Sequence, residues 1–391
     1  MAGPLAGIKV LEFAQIAAGP FFGSLFADLG ADVVKLERPD GGDGMREWPP
    51  LMKGDSGETF SGNFASVNRN KRSITVDLKN LAALERLRDL VRTVDVFVEN
   101  FRPGVTDKLG LGYDALKRHN PRLVYCSITG YGQSGPYAQK GAFDVTVQAI
   151  SGVMSVTGEP DRPPVKCGVP VGDFAAGLYA AFAALAAVLQ AKKTGHGAHI
   201  DCSMLGSLLG IAALQTSEYF GTNAAPKRLG SAHPRNAPYR GFDALDRPFT
   251  VAAGNDKLWR DLCEIVGKPE LAQDPRFLKQ SLRAKNQQAL FDILQPIFVT
   301  RTAEEWCRLL DERGVPCAPV NNYPEILADE HVRHMGLVRE LTLPNGAATR
   351  TVGFPVAISN FDFNITRPPP QLGEHNDEVF AEWTASELIR S

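Results

Sequence analysis

The sequence predicts an α/β protein built on a parallel sheet, and three observations carry that prediction. Short apolar runs alternate with helical stretches from the first residues onward. The opening trio is IKVLEF at 8–13, a helical stretch through FFGSLFADLGA, and DVVKLER at 32–38. Strand, helix and strand within about thirty residues make a βαβ unit, whose strands run parallel. The composition, 44% hydrophobic and 22% charged over 391 residues, provides ample core for an enzyme of about two domains.

The alternation continues through SITVDL (73–78), a charged helix through Leu90, VDVFVENF (94–101) and LVYCSITGYG (123–132). VGDFAAGLYAAFAALAAVLQAKKTG (171–195) reads as a long Ala-rich helix, stopped by Gly195 and carrying Lys192 and Lys193 in its last turn. Its small side chains predict close packing against a neighbour. Helical residues 203–220 follow. The texture changes at AAPKRLGSAHPRNAPYRG (near 225–240) and again at 339–371. A first domain of 1–224 and 330–391, with a second of 225–329 containing the strand PFTVAAG, follows from these two linkers.

A net charge of −2 argues against a nucleic-acid partner. No charge-free run of eighteen apolar residues suggests a membrane span, and the N-terminus lacks the basic region of a signal peptide. Six scattered cysteines without a CxxC pair suggest a reduced, cytoplasmic protein without structural zinc. P-loop, GxSxG and HExxH motifs are absent, so no metal site is expected. His331 and His334 read as a solvated surface pair. GYGQSG (130–135) matches GxGxxG, but Pro136 follows where a helix should open, so it reads as a glycine turn after a strand.

Arg38 follows the second strand, where ligands of open α/β sheets bind. Arg69, Lys71 and Arg72 precede the third, and Arg102 and Lys108 follow the fourth. Three such clusters suit a phosphate-rich ligand, nucleotide or CoA; equally, loops are rich in basic residues. Asp173, at the start of the Ala-rich helix, reads either as an N-cap or as a nucleophile kept ionised by the helix dipole. Asp144, in KGAFDVTVQA, reads as a turn or cap residue.

These pieces together resemble the class III CoA-transferases, the family of formyl-CoA transferase and carnitine CoA-transferase. The likeness is carried by GIKVLEFAQIAAGPFFGSLFADLGADVVKLERP, NRNKRSITVDL, VDVFVENFRPG, YCSITGYGQSGP, GVPVGDFAAGLYA, TGHGAHIDCSM and RPPPQLGEHN. Within the family, SVNRNKRSI, VENF and VNN are most similar to succinyl-CoA:dicarboxylate transferases acting on glutarate or hydroxymethylglutarate.

The resemblance implies an interlocked homodimer, each chain with a Rossmann-like large domain and a smaller α+β domain. It implies acyl-CoA and carboxylic acid substrates with no tightly bound cofactor. Asp173 becomes the catalytic carboxylate. Ala17, Ala18, Arg38, Lys71, Arg72, Asn100, Phe101, Lys108, Lys140 and Asp144 become the CoA-binding set. Gly254 and Asn255 fall in a substrate loop, and Ala17 stands where formyl-CoA transferase carries glutamine. Arg46, Arg235 and Tyr239 are candidates for holding an acceptor's distal carboxylate. The family's 2-methylacyl-CoA racemases carry His-Asp where this chain has Phe143 and Asp144, which favours transfer over racemisation. A CoA-binding protein without catalysis is the third reading, against which Asp173 speaks.

Overall fold

The structure, a computed structural model, describes residues 3–385. It divides into two compact units, described separately below. The larger takes in the chain up to Val153, Cys167–Thr222 and the chain from His331 onward. The smaller takes in Met154–Lys166 and Asn223–Glu330. Residues 154–166, which the sequence assigns to the first domain, thus pack with the smaller unit.

The larger unit is an α/β fold around a six-stranded sheet. Its strands are β1 (Lys9–Phe13), β2 (Asp32–Glu37), β3 (Arg72–Thr75), β4 (Val96–Glu99), β5 (Val124–Thr129) and β6 (His199–Ser203). All neighbours pair in parallel, in the order β3-β2-β1-β4-β5-β6. Both faces are covered, which is why these strands read as nearly continuous apolar runs. Val10, Val33, Val96 and Val124 face one core with Phe22 and Phe26. Their neighbours Leu11, Val34, Phe97 and Tyr125 face the other, with Leu87 and Trp383. β6 was not expected as a strand: HIDCS offers only Ile200 and Cys202 as alternating apolar residues, the weak pattern of an edge strand.

Helix α1 (Ala18–Asp28) follows β1, α2 (Asp144–Ile150) follows the glycine turn, and the Ala-rich α3 spans Val171–Thr194. The apolar stretch after β6 forms two helices, α4 (Met204–Ile211) and α5 (Ala213–Thr222). By length and composition α3 could cross a membrane, a possibility the sequence reading dismissed because of its charged residues. Here it is a packing helix, whose Ala176, Ala180 and Ala184 join the first core. Gly177 lets α3 touch α1 directly, since a Cβ there would lie 2.9 Å from the Ala18 carbonyl oxygen.

Strand order reverses beside β1, where β2 and β3 lie on one side and β4 to β6 on the other. Open parallel sheets have their ligand crevice at such a point, beyond the strands' carboxyl ends. The loops after β1 and β4 border it here.

The smaller unit contains an antiparallel sheet of β7 (Tyr239–Asp243), β8 (Pro248–Ala252) and β9 (Cys317–Pro319), with β8 central. Helices Asp256–Ile265, Gln287–Phe298 and Ala303–Asp311 bury Trp259, Leu294 and Trp306 with its strands.

Candidate active site

A cavity of about 280 Å³ lies in the larger unit, lined by the loops after β1, β4 and β5 and by the start of α3. It gathers seven of the sequence-derived candidates: Ala17, Ala18, Asn100, Phe101, Lys140, Asp144 and Asp173.

Asp173 lies in the first turn of α3, but Pro170 occupies the N-cap position. The capping reading of Asp173 is therefore excluded. The Asp144 carboxylate accepts from the Gly172 amide at 2.8 Å and from Gln148 Nε2 at 2.6 Å. Gln148 Oε1 in turn accepts from the Cys167 amide at 2.8 Å. Asp144 and Gln148 thus clamp the segment that leads into Asp173. Burial pushes the Asp173 carboxyl up to about 6, and the Asp144 charge adds to the rise. The sequence expectation of a dipole-stabilised carboxylate misses this, because burial and a like charge oppose the helix terminus.

The loop after β1 and the turn after β4 hold each other. The Asn100 side chain accepts from the Gln15 amide at 2.9 Å and donates to the Gln15 carbonyl at 2.8 Å. Glu99 accepts from the Phe101 amide at 2.8 Å, and burial raises its carboxyl to about 7. Phe21, in the first turn of α1, packs on Phe174 with ring centroids 4.7 Å apart. Lys140 reaches over the Tyr137 ring.

The remaining candidates stand elsewhere. Lys71 does not line the cavity: its ammonium is fully buried and contacts Glu12 Oε2 at 2.7 Å, the Pro20 carbonyl at 2.8 Å and Asn68 Oδ1 at 3.0 Å. Arg72 is likewise buried and paired with Asp32, Glu378 and Glu382. The cluster NRNKRS reads as a phosphate site from sequence, but its charges face inward because the acids that neutralise them come from distant segments. Arg38 and Lys108 are exposed and outside the cavity lining. Arg46 pairs with Glu37 at 2.7 Å and donates to the Pro370 carbonyl at 3.0 Å, so it is not available to an acceptor acid.

In the smaller unit, Gly254 follows β8 and Asn255 caps the next helix by accepting from the Leu258 amide at 2.9 Å. The buried Arg283 donates to the Gly254 carbonyl at 3.2 Å. Arg235 and Tyr239 are exposed on the same unit.

Several cavity residues escaped the sequence reading. Ile16, Thr129, Gly130 and Met204 line it, as does Arg102, which stood in a basic cluster but outside the binding set. The signal for Arg102 was its place directly after β4. Phe143 also lines the cavity and is 80% exposed.

Comparison with known proteins agrees over nearly the whole chain. The family model described as CoA-transferase family III matches residues 5–376. A succinate–glutarate CoA-transferase of Agrobacterium fabrum is 40% identical over 97% of this chain and 95% of its own. A human succinyl-CoA:glutarate CoA-transferase is 38% identical over 97% of this chain and 86% of its own. The crystal structure of a CAIB/BAIF family protein from Brucella suis superposes with a TM-score of 0.87 at 38% identity, covering 98% of this chain and all of that one. The parallel sheet, the cavity at its carboxyl edge and these full-length matches lead to one identification: the chain belongs to CoA-transferase family III and is a CoA-transferase.

Proposed function

We propose that the enzyme moves CoA from succinyl-CoA to a dicarboxylic acid of glutarate type through the Asp173 carboxylate. The observation that carries this reading is Asp173 itself, a carboxylate in the first turn of α3 that opens into a cavity bordered by the start of α1. The names of the two glutarate enzymes above support the choice of donor and acceptor.

In the proposed chemistry, Asp173 attacks the donor thioester carbonyl, and the C–S bond breaks to give an aspartyl anhydride and CoA thiolate. The thiolate attacks the aspartyl carbonyl, leaving an aspartyl thioester and releasing the donor acid. The acceptor carboxylate then attacks that thioester, expelling the thiolate with formation of a second anhydride. The returning thiolate attacks the acceptor-derived carbonyl, which yields the new acyl-CoA and restores Asp173. Both anhydrides require exclusion of water. The small residues Ala17, Ala18 and Gly130 leave room around the reacting carbonyl.

Lys140 and Arg102, on the cavity rim, supply positive charge for the CoA phosphates in this reading, with the exposed Arg38 and Lys108 outside the lining as further contacts. Asn100 and Phe101 form the turn against which the CoA chain lies. Gly254 and Asn255 belong to the substrate loop. A racemase reading lacks its second base, because Phe143 has no titratable group.

The reading includes a homodimer, interlocked as in the resemblance drawn above. Leu178, Phe182 and Leu189 leave an apolar stripe along α3, and Phe220 on α5 is 80% exposed. An apolar surface of this kind suits a partner subunit. No disulfide joins the six cysteines among the described residues, which suits a cytoplasmic enzyme.

Incubation with succinyl-CoA and a panel of carboxylic acids, followed by mass spectrometry of new CoA esters, tests the reading. Glutaryl-CoA is the expected main product. No ester with any acid, together with solvent-deuterium exchange at the α-carbon of a branched acyl-CoA, would replace transfer by racemisation.

A pH profile tests the role of Asp144. Nucleophilic Asp173 must be ionised, so kcat/KM is expected to fall as pH drops through about 6. Asp144→Asn is expected to move this acid limb down in pH while leaving it above the usual aspartate range, since burial is the larger cause. An unmoved limb would remove Asp144 from the electrostatics of the site.

A further inference from the structure

Ile16 is a β-branched residue with φ of +67°, in the left-handed region that such side chains rarely enter. It lies in the cavity wall, between Gln15 and Ala17. Strain of this kind persists only where the surroundings over-determine the backbone. Asn100 holds the preceding residue, as described above. The second hold is on Ile16 itself: its amide donates to both carboxylate oxygens of Asp43, at 3.1 and 3.2 Å.

Asp43 is 1% exposed and fixed from behind. Its carboxylate lies 3.0 Å from Lys35 Nζ and accepts from the Met45 amide at 2.9 Å. Lys35 is fully buried, contacts Glu12 at 3.0 Å and donates to the Ala14 carbonyl at 2.7 Å, directly before the loop. Met45, two residues beyond Asp43, packs against the Ile16 side chain together with Phe64 and Val67. Lys35 and Asp43 thus fasten both the carbonyl that enters the loop and the amide at its strained residue.

We propose that Asp43 is a positioning residue, which through the Ile16 amide keeps Gln15–Ala18 in the backbone shape that forms the wall of the cavity shared with Asp173. The inference rests on the reading of that cavity as the acyl-transfer site. Asp43 touches no substrate in this account. It acts by fixing Ala17 and Ala18, where α1 begins without a side-chain cap in the wall of the cavity that Asp173 also lines.

The test is a double-mutant cycle of Asp43→Asn and Ile16→Gly, read as kcat, acyl-CoA KM and thermal midpoint. Asp43→Asn is expected to lower kcat about 10- to 100-fold with a much smaller change in KM. Glycine reaches positive φ without cost, so the double variant is expected to exceed Asp43→Asn in kcat by about tenfold. Wild-type kcat in Asp43→Asn, or a double variant no faster than Asp43→Asn, would overturn the proposal. Should the Asp43 variants not fold, Ile16→Pro decides, because it removes the donating amide and forbids positive φ. Its loss of kcat in a folded protein supports the proposal, and wild-type kcat overturns it. Activity retained by Asp173→Asn would instead sink the reading of the cavity, whatever the cycle gives.

Discussion

Asp173→Asn is expected to lose CoA transfer by at least about 10³-fold and to gain thermal stability at neutral pH. The amide keeps the shape of the side chain but cannot form an anhydride. The stability gain follows from linkage. Burial holds the folded-state pKa of Asp173 at about 6, above the ordinary aspartate value of 3.8. Between these values the folded state binds the extra proton, so the carboxylate lowers stability as pH rises through that window. The destabilisation is complete above about pH 6 and absent below about 4. The midpoint of Asp173→Asn should therefore exceed wild type by about 2 °C or more at pH 7.5, and the difference should vanish near pH 4. An active variant removes Asp173 as nucleophile; an inactive one with no gain at pH 7.5 removes the account of its burial.

Glu12→Gln carries the largest expected structural effect. Glu12 and Lys35 are register partners on adjacent parallel strands, at positions where Val10 and Val33 set the apolar face. Each Glu12 oxygen meets one buried lysine, Lys35 at 3.0 Å and Lys71 at 2.7 Å. The cluster continues to Asp43, Glu37 and Arg46, three anions with three cations. Burial pushes the Lys71 ammonium down to about 8 against the pull of Glu12. With glutamine at 12, one lysine keeps a carbonyl acceptor and the other faces an NH₂ donor. Breaking a buried pair costs about 3–5 kcal/mol, for a chain of this length a midpoint lower by about 5 °C. A midpoint within about 2 °C of wild type would mean that the lysines discharge or find water.

These two sites mark where the sequence is legible and where it is not. The strands of the parallel sheet up to β5 were visible because two-sided burial writes a continuous apolar run, as in VLEF and DVVKLE. β6 was not, because an edge strand needs only every second residue apolar. Asp173 stood out through its helix start and family motif. Lys71 and Arg72 were misplaced for a physical reason: a cationic loop facing phosphate and one facing buried acids have the same composition. The acids that decide between them, Glu12, Asp32 and Glu378, are supplied by strands and a helix far along the chain. The strain at Ile16 had no sequence signal at all, since neither glycine nor asparagine marks that position.

The contact at Gly177 bears on how substrate preference can diverge. Because α3 meets the Ala18 carbonyl and the Phe21 ring with no Cβ between them, the spacing of the two helices is fixed at backbone contact. In the proposed reading, these two helices beside the acyl site therefore keep one spacing whatever the acyl group. A change of acceptor falls instead, in that reading, to an exposed lining side chain such as Phe143, while Lys140 and Arg102 keep their place toward CoA. Under that reading one floor, set by the backbone contact at Gly177, serves a series of acids that differ at their far ends.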